Sequence, residues 1–161
     1  MRAWRLTRRI HAAFDGEGSR LFGGRWSPPD TPVVYTSGTA SLAALEYFVQ
    51  LVAAQAPDDL VLIPVEIPDD LPTQALGLAA LPPDWREYPA PDPLAQLGGE
   101  WVHTAATALL RVPSAIVPHE SNYLLNPSHR DFTRLRVAAP EPFSLDPRLW
   151  MRPGRRRPRR A

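Results

Sequence analysis

At 161 residues without a cysteine, the chain suits a single domain with its own core, and disulfide frameworks, thiolate metal sites and a cysteine nucleophile are excluded. All 18 basic residues are arginine, which also excludes a lysine Schiff base and a phosphate-loop lysine. The formal net charge of +1 hides an asymmetry, because residues 1–151 hold 12 basic against 17 acidic groups, a net −5, and such an acidic body is a poor general binder of nucleic acid.

Neither a signal peptide nor a membrane helix is predicted. The arginine-containing N-terminus is followed by no apolar region, and no apolar run approaches the roughly 18 residues that a membrane helix needs. We therefore expect a cytoplasmic protein that makes no membrane contact.

The first half of the chain predicts a strand, a helix and a second strand. Residues 33–37 and 61–67 are rich in β-branched side chains and are bounded by Pro, Gly or Asp, as is typical of strands. Residues 40–54 repeat apolar side chains at helical spacing, and Thr39 or Ser41 is available as the cap.

The second half of the chain is divided by proline. Five prolines in residues 82–99 predict an ordered, irregular surface loop. Residues 101–110 predict a weaker helix, residues 112–117 a third strand and residues 122–126 a turn. The mixture predicts an α+β fold with a mixed or split sheet, in one domain over residues 1–151.

Residues 152–161 form a separate, arginine-rich tail. They hold six of the 18 arginines and little that a core can bury, so we expect them to be disordered. Two interpretations stay open, an incidental or solubilising terminus and an arm that contacts nucleic acid or an acidic partner.

Three side chains in the first third of the chain point to chemistry. Arg25 follows Gly23 and Gly24 in a turn, where a guanidinium can bind a phosphate with two parallel hydrogen bonds, although such a turn alone is typical of a surface. Tyr35 lies in the middle of a predicted strand, where a half-buried tyrosine is ordinary. Glu46 lies beside the apolar stripe of the predicted helix with no basic residue three or four positions away, so it needs a distant partner or a task.

Together these residues suit the cleavage of NAD. Arg25 would bind a phosphate, Tyr35 would contact a flat cationic ring, and Glu46 would stabilise the positive charge that develops on the ribose in the transition state.

The motifs resemble those of the RES domain family, whose name records an arginine, a glutamate and a serine. GGRW, VVYTS, ALE, VPSAIVPHESNYLLNP and FSLDPRLW occur in the family's order and spacing. The resemblance implies a fold related to ADP-ribosyltransferase toxins, an NAD-depleting toxin activity, and Arg25, Tyr35, Glu46 and Ser114 as the catalytic set. The chain departs from the family pattern at Ser27, where asparagine is usual, and at residues 38–39, where an acidic residue is common.

The resemblance also implies a partner, an Xre-type antitoxin with a helix-turn-helix. We expect it to insert its C-terminal end near Arg25 in competition with NAD, and to provide any contact with operator DNA. Homo-oligomerisation within that complex stays open.

Other residues have weaker assignments. Ser114 has no base beside it in sequence, so we do not expect it to be a nucleophile. It is expected either to form a hydrogen bond with the ribose or to orient Glu46, or else to be an ordinary strand serine. The expected NAD contacts are Arg25, Trp26 and Tyr35, and the resemblance adds Asn126. The four histidines lack metal-ligand spacing, so no metal is predicted.

Two questions stay open at this stage. Water, phosphate or a macromolecule could accept the ADP-ribose group, so an ADP-ribosyltransferase acting on a protein or nucleic acid is the alternative enzyme. A non-catalytic module that binds NAD or ADP-ribose, or an interaction protein that uses the tail, is the alternative from another class.

Overall fold

A mixed sheet of eight strands organises the chain in the computed structural model, which describes residues 1–51 and 57–150. The strands are β1 (Arg2–Arg8), β2 (Val34–Ser37), β3 (Leu60–Glu66), β4 (Thr73–Ala75), β5 (Leu109–Pro113), β6 (Ser121–Leu125), β7 (Arg136–Val137) and β8 (Glu141–Pro142). The α-helices are α1 (Glu17–Phe22), α2 (Ala40–Phe48) and α3 (Asp92–Thr104). The α+β class and the mixed sheet predicted from the sequence are thereby confirmed.

The strand order brings distant parts of the chain together. The sheet runs β4-β5-β6-β2-β1-β3-β7, with β8 also paired to β3. β4 and β5 are parallel, and the other pairs are antiparallel. In the β2–β6 pair, Tyr35 lies opposite Leu124 and Ser37 lies opposite Asn122. Because strand side chains alternate between faces, these four residues share one face of the sheet.

The two faces of the sheet carry different cores. One face packs Val34, Leu109 and Leu125 against loops. On the other face, Leu94 and Trp101 of α3 pack over β5 and β6. Ala43, Leu6 and Leu62 form a neighbouring cluster on that same face, in which α2 packs over β1 and β3. In the strand order, β2 lies between the areas that the two helices cover, and we refer to the space above it, between α2 and α3, as the crevice.

Helix α2 begins where the sequence predicts. The Thr39 side chain accepts a hydrogen bond from the Leu42 N–H at 3.0 Å, so Thr39 is the cap rather than Ser41. The helix ends at Phe48, well short of the predicted residue 54, and residues 52–56 lie outside the described part of the chain.

The second half of the chain differs from its prediction. The predicted loop at 82–99 contains the start of α3, because a proline at position 93 is acceptable in the first turn of a helix. The predicted helix at 101–110 is wrong beyond residue 104, since residues 109–113 form β5. That strand ends at Pro113, so the strand predicted over 112–117 is correct only at its start.

The predicted turn at 122–126 is also wrong, because residues 121–125 form β6 in the middle of the sheet. Asn122 and Asn126 favoured a turn by local propensity, and pairing with β2 and β5 overrides that preference. The arginine-rich tail lies outside the described residues. Within residues 1–51 and 57–150, no helix has the length and apolar character required to cross a bilayer.

Candidate active site

Glu46 projects from α2 toward the crevice and is half-buried. Its Oε1 accepts a hydrogen bond of 2.8 Å from the Ser114 hydroxyl and one of 2.6 Å from the Asn122 side-chain Nδ2. No described residue forms an ion pair with this carboxylate, and its Oε2 has no hydrogen-bond partner in that part of the chain. Glu46 therefore has distant partners, as expected from the sequence, and both are neutral hydrogen-bond donors. They leave one oxygen of the Glu46 carboxylate available to a ligand.

Ser114 is completely buried just after β5. Its hydroxyl donates to Glu46 and accepts from the main-chain N–H groups of Ile116 at 3.1 Å and Val117 at 3.0 Å. Of the roles considered for this serine, contact with Glu46 is present in the structure. The two N–H donors hold the hydroxyl oxygen, so the proton is directed at the carboxylate and Ser114 is not arranged as a nucleophile.

Asn122 was missed as a site residue. The Ser37 hydroxyl donates to the Asn122 Oδ1 at 2.8 Å, which turns the Nδ2 end of the amide toward Glu46. The signal was present in the sequence, because Ser37 and Asn122 are polar residues in strands whose other members are mostly apolar. It required the register of β2 against β6 to be interpreted.

The Arg25 turn is braced by the loop before α3. Nη1 of Arg25 donates to the Trp85 carbonyl at 2.7 Å, and Nη2 donates to the Glu87 carbonyl at 3.0 Å. The guanidinium is half-buried, and burial lowers the pKa of Arg25, while the nearby Glu46 carboxylate and Tyr35 oppose that shift. Arg25 stays charged, because even a lowered arginine pKa lies far above neutral pH. Its remaining N–H groups have no partner among the described residues.

The Tyr35 hydroxyl supports the Arg25 turn through hydrogen bonds. Its hydroxyl accepts a hydrogen bond from the Trp26 N–H at 3.1 Å and shares another of 2.8 Å with the Ser27 hydroxyl. A Cβ atom at Gly24 would lie 2.6 Å from the same hydroxyl, so a larger residue there would have to displace the Tyr35 side chain. Burial raises the pKa of Tyr35 to about 12, which keeps the hydroxyl protonated at neutral pH. The hydroxyl is occupied by the turn, so its geometry suits a positioning role.

Two expected NAD contacts lie away from Glu46. Trp26 is only 3% exposed and packs with the core cluster of Leu94 and Trp101, which leaves its indole no free ring surface in this structure. Asn126 is 1% exposed, and it follows the opposite end of β6 from Asn122, about 13 Å away at a rise of about 3.3 Å per residue. Its Oδ1 accepts from the Ser128 N–H at 3.0 Å, while its Nδ2 has no partner among the described residues.

The arrangement brings together Arg25, Tyr35, Glu46 and Ser114, which the sequence selected, and adds Asn122. The part of the chain that the structure describes holds no cluster of three or more His, Asp or Glu side chains arranged for a metal ion. The site therefore pairs a guanidinium for an anion with a carboxylate that has no cationic partner.

Comparisons with known proteins identify the family. A family model described as RES domain matches residues 2–146. A protein named Toxin Res, from Photorhabdus laumondii subsp. laumondii, is 36% identical over 150 residues and covers 91% of this chain and 95% of its own length. A protein named Prs ADP-ribosylating toxin, from a Sphingobium species, is 34% identical over 152 residues, with 91% and 94% covered.

A solved structure shares the architecture. A chain in the crystal structure of the M. tuberculosis MbcT-MbcA toxin-antitoxin complex superposes with a TM-score of 0.70 over 92% of this chain and 85% of that chain. Sequence identity is 22%, so this likeness concerns the fold.

Proposed function

The chain belongs to the RES domain family, and from that premise we propose that it is the toxin of a toxin–antitoxin system and that it breaks the nicotinamide–ribose bond of NAD. The toxin role is supported by the relatives named Toxin Res, which match about nine-tenths of the chain. An activity on NAD is supported by the relative named as ADP-ribosylating, because NAD is the usual donor of that group.

The Glu46 carboxylate is the observation on which the chemistry depends. It is half-buried, two neutral donors fix its Oε1, and no described arginine forms an ion pair with it. A binding site for an anionic ligand gains nothing from an unneutralised carboxylate, whereas a site that must stabilise developing positive charge does. An enzyme is therefore favoured over a module that only binds NAD or ADP-ribose.

The residues divide the work of the reaction. Arg25 would bind the diphosphate and hold the substrate across the crevice. As the bond between ribose C1′ and nicotinamide N1 breaks, its electron pair leaves with the nicotinamide and positive charge develops on the ribose. The Glu46 carboxylate stabilises that charge, and Ser114 and Asn122 keep the carboxylate in place.

An acceptor molecule completes the reaction by bonding to the ribose. An oxygen lone pair of water or phosphate forms the new bond to C1′, and water then loses a proton to solvent. The products would be nicotinamide with ADP-ribose or with its phosphate ester. Transfer to a protein or nucleic acid is the second candidate, and the relative named Prs ADP-ribosylating toxin is the observation that favours it.

The partner we propose is an Xre-type antitoxin with a helix-turn-helix. The unused N–H groups of Arg25 suit a carboxylate, so a C-terminal end of the antitoxin placed there would compete with NAD. Contact with operator DNA would then come through the antitoxin, in keeping with the acidic body of the chain.

Incubation of the purified chain with NAD, followed by chromatographic separation of the products, tests the proposal. Wild-type protein should release nicotinamide, and Glu46→Gln should lower turnover by on the order of 100-fold or more. The matched control is Glu100→Gln, an exposed glutamate on α3, which should not change turnover.

The products also separate the alternatives. Phosphate dependence identifies phosphate as the acceptor, and label from NAD on a macromolecule identifies transfer. Binding of NAD without release of nicotinamide would instead make the chain a binding module and contradict the proposal.

A further inference from the structure

Arg86 lies between the two residues that brace Arg25. The carbonyls of Trp85 and Glu87 accept hydrogen bonds from the Arg25 guanidinium, so the segment at Arg86 runs alongside the Arg25 turn. The Arg86 Nε donates a hydrogen bond to the Ala115 carbonyl at 2.9 Å.

Ala115 lies next to the residue that holds Glu46. It directly follows Ser114, whose hydroxyl holds Glu46. It also packs against the core cluster that includes Tyr35 and Trp85. Arg86 therefore connects the segment that holds Arg25 to the segment that follows Ser114, next to the residue that holds Glu46.

The Arg86 guanidinium is available to a ligand. The side chain is exposed, no described carboxylate forms an ion pair with it, and neither Nη group has a partner in the described part of the chain. The single hydrogen bond from Nε fixes the plane of the guanidinium, and the two Nη groups then present a fork suited to phosphate oxygens.

The charges of the crevice favour a second cation for binding a diphosphate. Arg25 and Glu46 carry opposite charges and lie close enough to affect each other, so Glu46 offsets part of the attraction that Arg25 offers to a diphosphate with two negative charges. We propose that Arg86 is a substrate-binding residue which, with Arg25, binds the diphosphate of the dinucleotide. This inference rests on the proposed function, since it takes a dinucleotide to be the ligand.

Other arginines nearby do not supply that charge. Arg20 is paired with Glu17 at 2.7 Å. Arg111 lies on β5 between Leu110 and Val112, which face α3, so its side chain projects from the opposite face of the sheet. Arg111 is also exposed, which makes it a matched control for Arg86.

Titration calorimetry with ADP-ribose as the probe tests the assignment. Wild-type protein, Arg86→Ala and Arg111→Ala are compared at two salt concentrations. We expect Arg86→Ala to raise the Kd for ADP-ribose by at least about tenfold and to weaken its salt dependence, because one charge-assisted contact is lost. Arg111→Ala should leave both quantities unchanged.

Arg86→Lys separates binding from structural support. Lysine keeps the positive charge and loses both the Nε donor to Ala115 and the planar fork, so a Kd between those of wild type and Arg86→Ala supports contact with the diphosphate. The same salt dependence of ADP-ribose binding in wild type, Arg86→Lys and Arg86→Ala would overturn the assignment, because the charge of Arg86 would then take no part in binding.

The two proposals fail differently. Wild-type protein that neither binds ADP-ribose nor cleaves NAD contradicts the proposed function and this inference with it. Wild-type protein that binds ADP-ribose, with equal binding by Arg86→Ala, contradicts the role of Arg86 alone.

Discussion

Asn122 donates a hydrogen bond of 2.6 Å to Glu46, a residue 76 positions earlier in the chain. Ser37 orients the Asn122 amide through a bond of 2.8 Å to its Oδ1. The catalytic carboxylate of the proposed reaction is therefore held by the register of β2 against β6 as well as by its own helix.

Replacing Asn122 with alanine should lower kcat more than it changes KM. The substitution removes one of the two donors to Oε1, so Glu46 is held less firmly where charge develops, and we expect a loss of about tenfold in kcat. Steady-state kinetics on NAD measures both constants. Ser37→Ala, which removes only the outer link, should have a smaller effect. An unchanged kcat in Asn122→Ala would contradict the positioning role.

Asn122→Asp should shift the pH dependence of turnover. It places a second carboxyl group within hydrogen-bond distance of Glu46, and two adjacent carboxylates do not both ionise readily, so the pair retains a proton to higher pH. The acidic limb of the kcat profile should therefore move to higher pH. Asn122→Ala adds no charge and should leave that limb in place, which distinguishes an electrostatic effect from a general disturbance of the fold.

Arg25→Ala should mainly raise KM. The guanidinium is proposed to bind the diphosphate, so kcat/KM should fall by on the order of 100-fold, with the larger part in KM. The control is Arg20→Ala, whose arginine is engaged with Glu17 on α1. Equal losses in kcat/KM for the two variants would show that Arg25 has no specific part in binding.

Alkaline pH should destabilise the protein through Tyr35. Its pKa is raised to about 12 in the folded chain, while the unfolded chain ionises near its ordinary value of 10.0. The unfolded state therefore loses its proton first as pH rises, and the free energy of unfolding should fall by about 1 kcal/mol by pH 11. Below pH 10 this contribution is fully present. Urea unfolding at pH values from about 8 to about 11 measures this loss of unfolding free energy, because the unfolded chain begins to ionise at Tyr35 within that range.

The matched variant for this measurement is Tyr35→Phe. It removes the ionising group, so its free energy of unfolding should fall less between the same two pH values, although it starts lower because the bonds to Trp26 and Ser27 are lost. An identical alkaline loss in both proteins would assign the effect to other groups.

Gly98→Ala should destabilise the fold and disturb the Arg25 turn. A Cβ at Gly98 would overlap the carbonyl oxygen of Trp26, so α3 would have to move away from the turn, at a cost of several kcal/mol. Gly18→Ala on α1 is the matched control, because nothing lies within 4 Å of its Cβ and alanine favours a helix. Thermal unfolding of the two variants, with activity measured below both transitions, tests the expectation.

The local features of the site region were predictable from the sequence. The β-branched run at 33–37 and the apolar spacing after Thr39 predicted a strand and a helix that the structure contains. The absence of a local partner for Glu46 was also evident in the sequence. These features depend on neighbours a few positions away, which propensity and periodicity record.

The second half of the chain was less predictable. Prolines and glycines in residues 82–99 indicated a loop, yet α3 begins at Asp92 and its glycines allow the helix to approach Trp26 closely. Trp26 beside Arg25 indicated a ligand contact, yet its ring is buried in the core. For the glycines of α3 and for Trp26, the residue type indicated a structural role only after the residues that pack against them were known.

The sequence by itself therefore determined the α+β class, the strand and helix that carry Tyr35 and Glu46, and the presence of a carboxylate with no local cation. Tertiary structure alone decided that Asn122 and Ser114 hold Glu46 and that Arg86 bonds to the carbonyl that follows Ser114. Those contacts join residues 76, 68 and 29 positions apart. They are set by strand register and by the packing of α3 on the sheet, because a shift of one residue in register would turn Asn122 to the opposite face.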